Sequence, residues 1–180
     1  TDGPAAGPNF YAENFGPGFN GPLILTGTIV GSTDPLGLME ALGEDAALLP
    51  GVEGVAPFVD VQAMLGRAGM LEPVLLHGID PAAEANVSSI EHNLLQGKLS
   101  DLEPGARGMV IGRVLAWQIG AEVGDELTVM VPGRDMLAAG GRPLLQTFTV
   151  TGIFEVGLQD HDASLALVSI ADAADLTGAA

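Results

Sequence analysis

Short apolar runs separated by glycine and proline recur along most of this 180-residue chain. Runs of this length, bounded by turn-forming residues and rich in β-branched side chains, are typical of strands rather than of long helices. Glycine and proline together make up about a fifth of the sequence, above the average usage for the pair. The pattern predicts a strand-rich domain, with strands at residues 73–80, 108–112, 125–131, 146–155 and 164–170.

The first third of the chain differs from the rest. LILTGTIV at residues 23–30 is a β-branched run, and VEGVAPFVDVQAMLG at residues 52–66 resumes strand character. Between them a helix is expected, because Asp34 suits an N-cap, Pro35 suits the first helical position, and apolar residues recur at helical spacing. The stripe that would pack on a sheet comprises Leu38, Met39, Leu42, Ala46 and Leu49.

These elements predict an α+β fold in three parts. Residues 1–22 form a Gly/Pro-rich N-terminal extension, residues 23–65 a β-α-β lobe, and residues 66–180 a β-rich lobe. Two short helices are expected in the last part, at residues 113–120 with a C-terminal glycine, and near residues 170–178 with Ser169 as a cap. Trp117, the only tryptophan, is expected to be in the core or half-buried, so that truncating it would cost about 3 kcal/mol.

The predicted strands 125–131 and 146–155 are joined by a long connection. A tight hairpin needs about two turn residues, whereas residues 131–150 form a long hairpin with an apolar pair, Met136 and Leu137, between Arg134 and Arg142. Such a loop is either a solvated surface loop or a protruding arm, since Arg and Met are both enriched in protein interfaces. Composition leaves both interpretations open.

Charge and cysteine usage exclude several classes of partner. The formal charge is −17, and the first basic residue is Arg67. Nucleic acids and anionic membranes require clustered Lys and Arg, so neither is expected as a partner. Cysteine is absent, which excludes disulfides and thiolate metal sites. No apolar run is long enough to span a bilayer and the N-terminus has no signal-peptide pattern, so we expect a soluble chain without targeting segments.

The sequence does not predict an enzyme or a cofactor. LQDHDAS contains Asp160, His161 and Asp162 in a row, but adjacent strand residues point to opposite faces, so a polar turn is the preferred interpretation. A metal-dependent hydrolase remains an alternative, and it would require these side chains to converge with His77. No nucleophile elbow, phosphate loop, dinucleotide fingerprint or zinc-protease motif is present. We therefore expect no catalytic, cofactor-binding or metal site.

Four segments, taken in order, resemble a known family over about two thirds of the chain. They are GVEGVAPFVDVQAML, VLLHGIDP, GKLSDLEPGARGMVIGRVLAWQIGAEVGDELTVMVP and FTVTGIFEVGLQDHDASLALVSIADAADL. They resemble the extracytoplasmic domain of the lipoprotein-releasing, LolC/LolE-type ABC transporter permeases, which are relatives of MacB. The resemblance implies a porter-like lobe, a β-rich lobe with a long hairpin called the hook, and a position on the periplasmic side of the bacterial inner membrane.

The resemblance also implies a function for the hairpin. In this family the hook recruits a periplasmic lipoprotein carrier, here a LolA-like protein, to which the permease transfers lipoprotein cargo. ATP hydrolysis belongs to a separate subunit, and a second permease completes the transporter. The resemblance places the hook at residues 133–145, with partner contacts at Arg134, Met136, Leu137, Arg142 and Pro143.

The opening residues allow alternatives. FGPGFNGPLIL at residues 15–25 and DPLGLMEALGEDAALLPGVEGV at residues 34–55 also resemble the porter-domain start of MMPL-type transporters of the RND superfamily. A porter domain of a lipid exporter is therefore one alternative function, and a non-functional or artificial scaffold of mixed origin is another. The resemblance also implies that further strands of the porter lobe follow the last helix in relatives.

Overall fold

The computed structural model describes residues 35–48, 52, 54–132 and 143–177, which all lie in one compact unit, Thr33–Ala180. The first elements are helix α1 (Pro35–Ala47), strands β1 (Phe58–Arg67) and β2 (Met70–Ile79), the short helix α2 (Pro81–Glu84) and strand β3 (Leu94–Gln96). Strand β4 (Gly108–Gly112), helix α3 (Arg113–Ile119) and strands β5 (Glu126–Val131) and β6 (Leu144–Phe154) follow. The last are helix α4 (Gln159–Ser164), strand β7 (Leu165–Ser169) and helix α5 (Ile170–Thr177).

Six of the strands form a closed ring. Neighbours pair in the order β6-β4-β7-β2-β1-β5, and β5 pairs with β6, while β3 pairs with the last residues of β6, Ile153 and Phe154. Thr149 is the residue at which the ring closes, because it lies opposite Gly108 of β4 and also opposite Glu126 of β5. The β1–β2 hairpin is antiparallel over its full length, whereas β2 pairs with β7 in parallel. Closure pairs β5 with β6, so that the sheet does not leave these two strands with open edges.

Alternation along the strands divides the core in two. Met109 and Ile111 of β4 point to the larger cluster, together with Leu65, Leu76 and other inward residues of the ring. Val110 points to the other face, in a second cluster. This is the period-two pattern of a strand buried on both sides. The second cluster is completed by Ile79, Leu99, Leu102, Phe154 and Leu167.

The predicted strands and helices are largely confirmed. β4 has the predicted bounds, and each end of the other four strands in this part lies within three residues of the predicted position. Gly120 ends α3 in the left-handed conformation, with φ 62°, which glycine adopts without a steric penalty. Ser169 caps α5, since its Oγ lies 3.5 Å from the backbone N–H of Asp172. No described helix combines the length and apolar character of a membrane span.

Two expectations about local structure were wrong. Residues 159–164 form the short helix α4 rather than a turn, because the buried Asp162 side chain binds the preceding backbone. Trp117 is 82% exposed rather than buried. Leu115, Ala116 and Ile119 take the buried face of α3, and at 100° per residue Trp117 lies nearly opposite their centre.

The β-α-β lobe is described only in part. Its helix is α1, in which Leu42 is 55% exposed, so this position of the predicted stripe is not covered by described residues. The following strand is β1, which pairs with β2 and, at Met64–Gly66, with β5. Residues 23–30 lie outside the described residues, so the division at residue 65 stays a prediction.

Candidate functional site

The stem of the long hairpin is formed by β5 and β6. Their register runs from Glu126 opposite Thr149 to Val131 opposite Leu144, so that residues 132–143 connect the two strands. Pro132 and Pro143 stand at the two ends of this connection. Because proline has no backbone N–H, it cannot extend the hydrogen-bonded ladder. The paired stem therefore ends at Val131 and Leu144.

The stem is fixed to the core along its inner face. Leu127, Val129 and Phe148 have no exposed surface and all belong to the larger core cluster. At the end next to the connection the pattern changes, since Leu144 is 39% exposed and Leu145 is 54% exposed. The hairpin therefore combines a base that is packed into the core with an apolar, exposed root.

The predicted contact residues lie mostly beyond this stem. Arg134, Met136, Leu137 and Arg142 are outside the described residues, so their role stays a prediction. Pro143 is described and half-buried, directly before the exposed Leu144. The structure therefore describes the root on which these contacts would depend.

Sequence reasoning did not identify an apolar groove beside the root. Met64 of β1 lies opposite both Pro73 of β2 and Met130 of β5, and Met130 lies opposite Leu145 of β6. Directly opposed residues share a face of the sheet, so these side chains form a row on its outer side. A groove of about 490 Å³ lies there, lined by Gln62, Ala63, Met64, Pro73, Val74, Leu75, Pro132 and Ser164. No periodic signal in the sequence marks the groove, because the outward neighbours of Met64 and Met130 along their own strands include the polar Gln62 and Thr128.

An ionic contact fixes the opposite end of β5. The Arg67 guanidinium, at the end of β1, donates to the Gly120 carbonyl after α3 and to Asp125 Oδ2 at 2.7 Å. The Glu122 backbone N–H, at 2.8 Å from Asp125 Oδ2, lowers the pKa of Asp125, and Arg67 lowers it further, although partial burial opposes both. This network connects α3, β1 and the start of β5.

The residues of the hydrolase alternative are not brought together. Asp162 is 3% exposed and accepts hydrogen bonds from the backbone N–H groups of Val156 and Gly157, at 2.9 and 3.0 Å. His77 instead lies 2.6 Å from Asp60, from Nδ1 to Oδ1. Among the described residues, no three His, Asp or Glu side chains are grouped as metal ligands. Asp162 therefore anchors a loop, and the metal-dependent alternative has no support in this part of the chain.

A second buried carboxylate, Asp172 of α5, holds the loop before β4. Its Oδ1 accepts the Gly105 N–H at 3.1 Å, while no described residue forms a hydrogen bond with Oδ2. Burial raises the pKa of Asp172, and the backbone N–H groups of Gly105 and Arg107 oppose this effect. This role was not predictable from the sequence, because it depends on a contact between residues 67 positions apart.

Comparison with known proteins gives consistent results. A family model described as the MacB-like periplasmic core domain matches residues 10–178, which includes the opening residues for which an MMPL-type alternative was considered. The lipoprotein-releasing system transmembrane protein LolC of Neisseria meningitidis is 39% identical over 123 residues, covering 68% of this chain. The chain spans 30% of the length of that relative.

Two solved structures share the fold at low sequence identity. The extracellular domain of the noncanonic ABC-type transporter YknZ from Gram-positive bacteria has a TM-score of 0.55 at 17% identity, over 78% of this chain and 66% of that one. The periplasmic region of MacB from Actinobacillus actinomycetemcomitans has a TM-score of 0.50 at 16% identity, over 76% of this chain and 57% of that one. These similarities confirm the α+β fold.

Proposed function

Because this chain belongs to the MacB-like periplasmic core domain family, we propose that it is the docking domain of a lipoprotein-releasing ABC transporter permease. In this proposal the β5–β6 hairpin binds a periplasmic lipoprotein carrier and holds it where cargo is handed over. The domain itself catalyses nothing, and ATP hydrolysis belongs to a separate subunit. A second permease subunit and the membrane spans complete the transporter on the periplasmic side of the inner membrane.

The observation that carries the proposal is the stem of the hairpin. The two strands that residues 132–143 connect are paired in register, and Leu127, Val129 and Phe148 fix them to the core. An arm that is fixed at its base loses little conformational freedom when a partner binds, so more of the contact energy remains as affinity. Leu144 and Leu145 are exposed apolar residues at the root of the hairpin, and in this proposal they belong to the same contact surface as Met136 and Leu137.

The scarcity of positive charge in the chain supports a binding role for the two arginines of the hairpin. Only six basic residues occur in the whole sequence, against 23 acidic residues, and two of the six, Arg134 and Arg142, flank the apolar pair. On an acidic domain these arginines supply positive charge where a carrier with rim carboxylates would meet the arm. Arginine contacts of this kind add specificity and association rate more than raw affinity.

Binding of the domain to an immobilised periplasmic lipoprotein carrier tests the proposal. Leu137→Asp is expected to abolish binding and leave the melting temperature unchanged, because a carboxylate in an apolar contact loses its hydration without gaining a partner. Leu71→Asp is the matched control, since Leu71 is a 53% exposed leucine at the β1–β2 turn and the substitution changes charge equally. Equal binding by the Leu137→Asp variant and the wild type would contradict the proposal.

A further inference from the structure

The exposed face of α3 is a second candidate surface, distinct from the hairpin. Trp117 is 82% exposed there, and no described residue makes a ring contact or hydrogen bond with its indole group. Leu115, Ala116 and Ile119 are buried on the other side, so the helix cannot turn the indole inward without exposing three core residues. Tryptophan is enriched at the energetic centres of protein interfaces, and an exposed one on a rigid helix is preorganised for contact.

This surface lies at the opposite end of β5 from the hairpin connection. α3 ends at Ile119, and β5 begins at Glu126 and runs for six residues before the connection starts. A strand of that length spans about 20 Å. The contact from Arg67 to the Gly120 carbonyl and to Asp125 fixes the end of α3 to the ring. A partner at Trp117 therefore need not compete with one at the hairpin.

The charges around Trp117 are negative. Arg113, one helical turn before it, is bonded to both carboxylate oxygens of Glu155 at 2.8 and 2.9 Å, and Arg67 is paired with Asp125 at 2.7 Å. Three exposed carboxylates in the segments next to α3 have no basic partner in the described part of the chain: Glu122, Glu126 and Asp160. Asp160 belongs to α4, which packs on α3. An exposed indole next to segments that carry unpaired carboxylates complements a positively charged group.

We propose that the α3 face centred on Trp117 docks a basic segment of a neighbouring protein chain, with an arginine or lysine side chain on the indole face. The carboxylates would attract the basic segment over a distance, and the indole would provide a direct cation–π contact for its arginine or lysine side chain. Leu158, directly before α4 and 58% exposed, adds apolar surface on the neighbouring helix. This proposal goes beyond carrier binding and does not depend on it.

The local field can be measured directly, because Trp117 is the only tryptophan in the chain. Relative to free N-acetyltryptophanamide, its fluorescence should be quenched more efficiently by caesium ions and less efficiently by iodide ions, and both differences should shrink as sodium chloride is added. A ratio of caesium to iodide quenching equal to or below that of the free amide would overturn the assigned charge of this surface.

Docking is tested by calorimetric titration of the whole chain with a synthetic peptide of alternating arginine and glycine. Trp117→Ala should weaken binding by about 3- to 30-fold, the range given by an exposed to a desolvated cation–π contact. The substitution leaves the net charge unchanged, so general attraction to an acidic chain is the same in both proteins. Leu95→Ala, which removes another exposed apolar side chain (52%) from β3, is the control and should bind like the wild type.

Two outcomes would overturn the proposal. One is identical peptide affinity for the wild type and Trp117→Ala. The other is a blue shift of Trp117 emission with vesicles of neutral phosphatidylcholine and none with the peptide, which would assign the surface to a membrane instead. Since the carrier assay depends on Leu137 and this one on Trp117, failure of either proposal can be recognised separately.

Discussion

Replacing Asp162 by alanine tests whether this carboxylate is a structural anchor. Asp162 is 3% exposed and accepts two backbone hydrogen bonds, from Val156 and Gly157. Leaving one buried backbone N–H without its acceptor lowers the free energy of unfolding by about 1–3 kcal/mol. Because Gly157 is exposed, water can replace part of its bond. We therefore expect Asp162→Ala to lower the free energy of unfolding by about 2–3 kcal/mol.

The loss should appear as a melting temperature lower by about 4–12 °C, at 2–4 °C per kcal/mol for a chain of this size. Far-ultraviolet circular dichroism during heating and in urea is the suitable assay, since the exposed Trp117 would report unfolding poorly. Asp160→Ala is the control on the same helix, and its exposed side chain should change stability by less than about 0.5 kcal/mol. An Asp162→Ala protein as stable as the wild type would refute the anchoring role.

Three further substitutions have defined outcomes. Trp117→Ala should change the free energy of unfolding by less than about 0.5 kcal/mol, and a loss near 3 kcal/mol in urea titration would show the indole to be buried. Gly78→Val should cost about 1–3 kcal/mol in the same assay, because any side chain on β2 here collides with Ala173 of α5; wild-type stability would contradict that packing. Burial raises the pKa of Asp172 above its ordinary value of 3.8, so the folded protein favours the protonated carboxyl group. The stability contributed by this group is fully present below pH 3.8 and is lost as the pH rises through the folded-state pKa. Asp172→Asn should therefore be the more stable protein at pH 7, with the difference shrinking in acid, and a pH-independent difference in melting temperature would contradict this account.

The strands were predictable because each depends on local composition. β4 is a run of five residues buried on both faces, and β5 and β6 alternate apolar and polar residues, so each carries its own periodic signal. Closure of the ring was not predictable. It depends on β5 pairing with both β1 and β6, and pairings between distant segments leave no periodic trace in either strand.

The exposure of Trp117 was missed for a different reason. α3 has only seven residues, and two helical turns do not contain enough apolar positions to define one buried face. Composition predicted a buried tryptophan. The burial of the neighbouring Leu115 and Ile119 instead determines which face of α3 is exposed, and Trp117 lies on that face. Similarly, the strand alternation expected for LQDHDAS does not apply, because the segment is helical. The Asp162 side chain accepts hydrogen bonds from the loop before this helix.

For the candidate site, the sequence predicted the long hairpin but not the groove beside its root. The long connection between two strand-like runs was visible directly, and the pairing of β5 with β6 confirms its stem. The groove beside the root could not be foreseen, because Pro132 and Ser164 join Met64 and Pro73 in its lining only in the folded domain. The contacts at Arg134, Met136 and Leu137 stay predictions.

Calorimetric titration with a purified periplasmic lipoprotein carrier tests the central claim most directly. The wild-type domain would be compared with a variant in which residues 134–143 are replaced by a short Gly-Asn turn, a connection that two paired strands accept. The account predicts saturable binding by the wild type and none by the variant, at equal thermal stability. Unchanged binding by the variant, or no binding by the folded wild-type domain, would contradict the assignment of the hairpin as the docking arm.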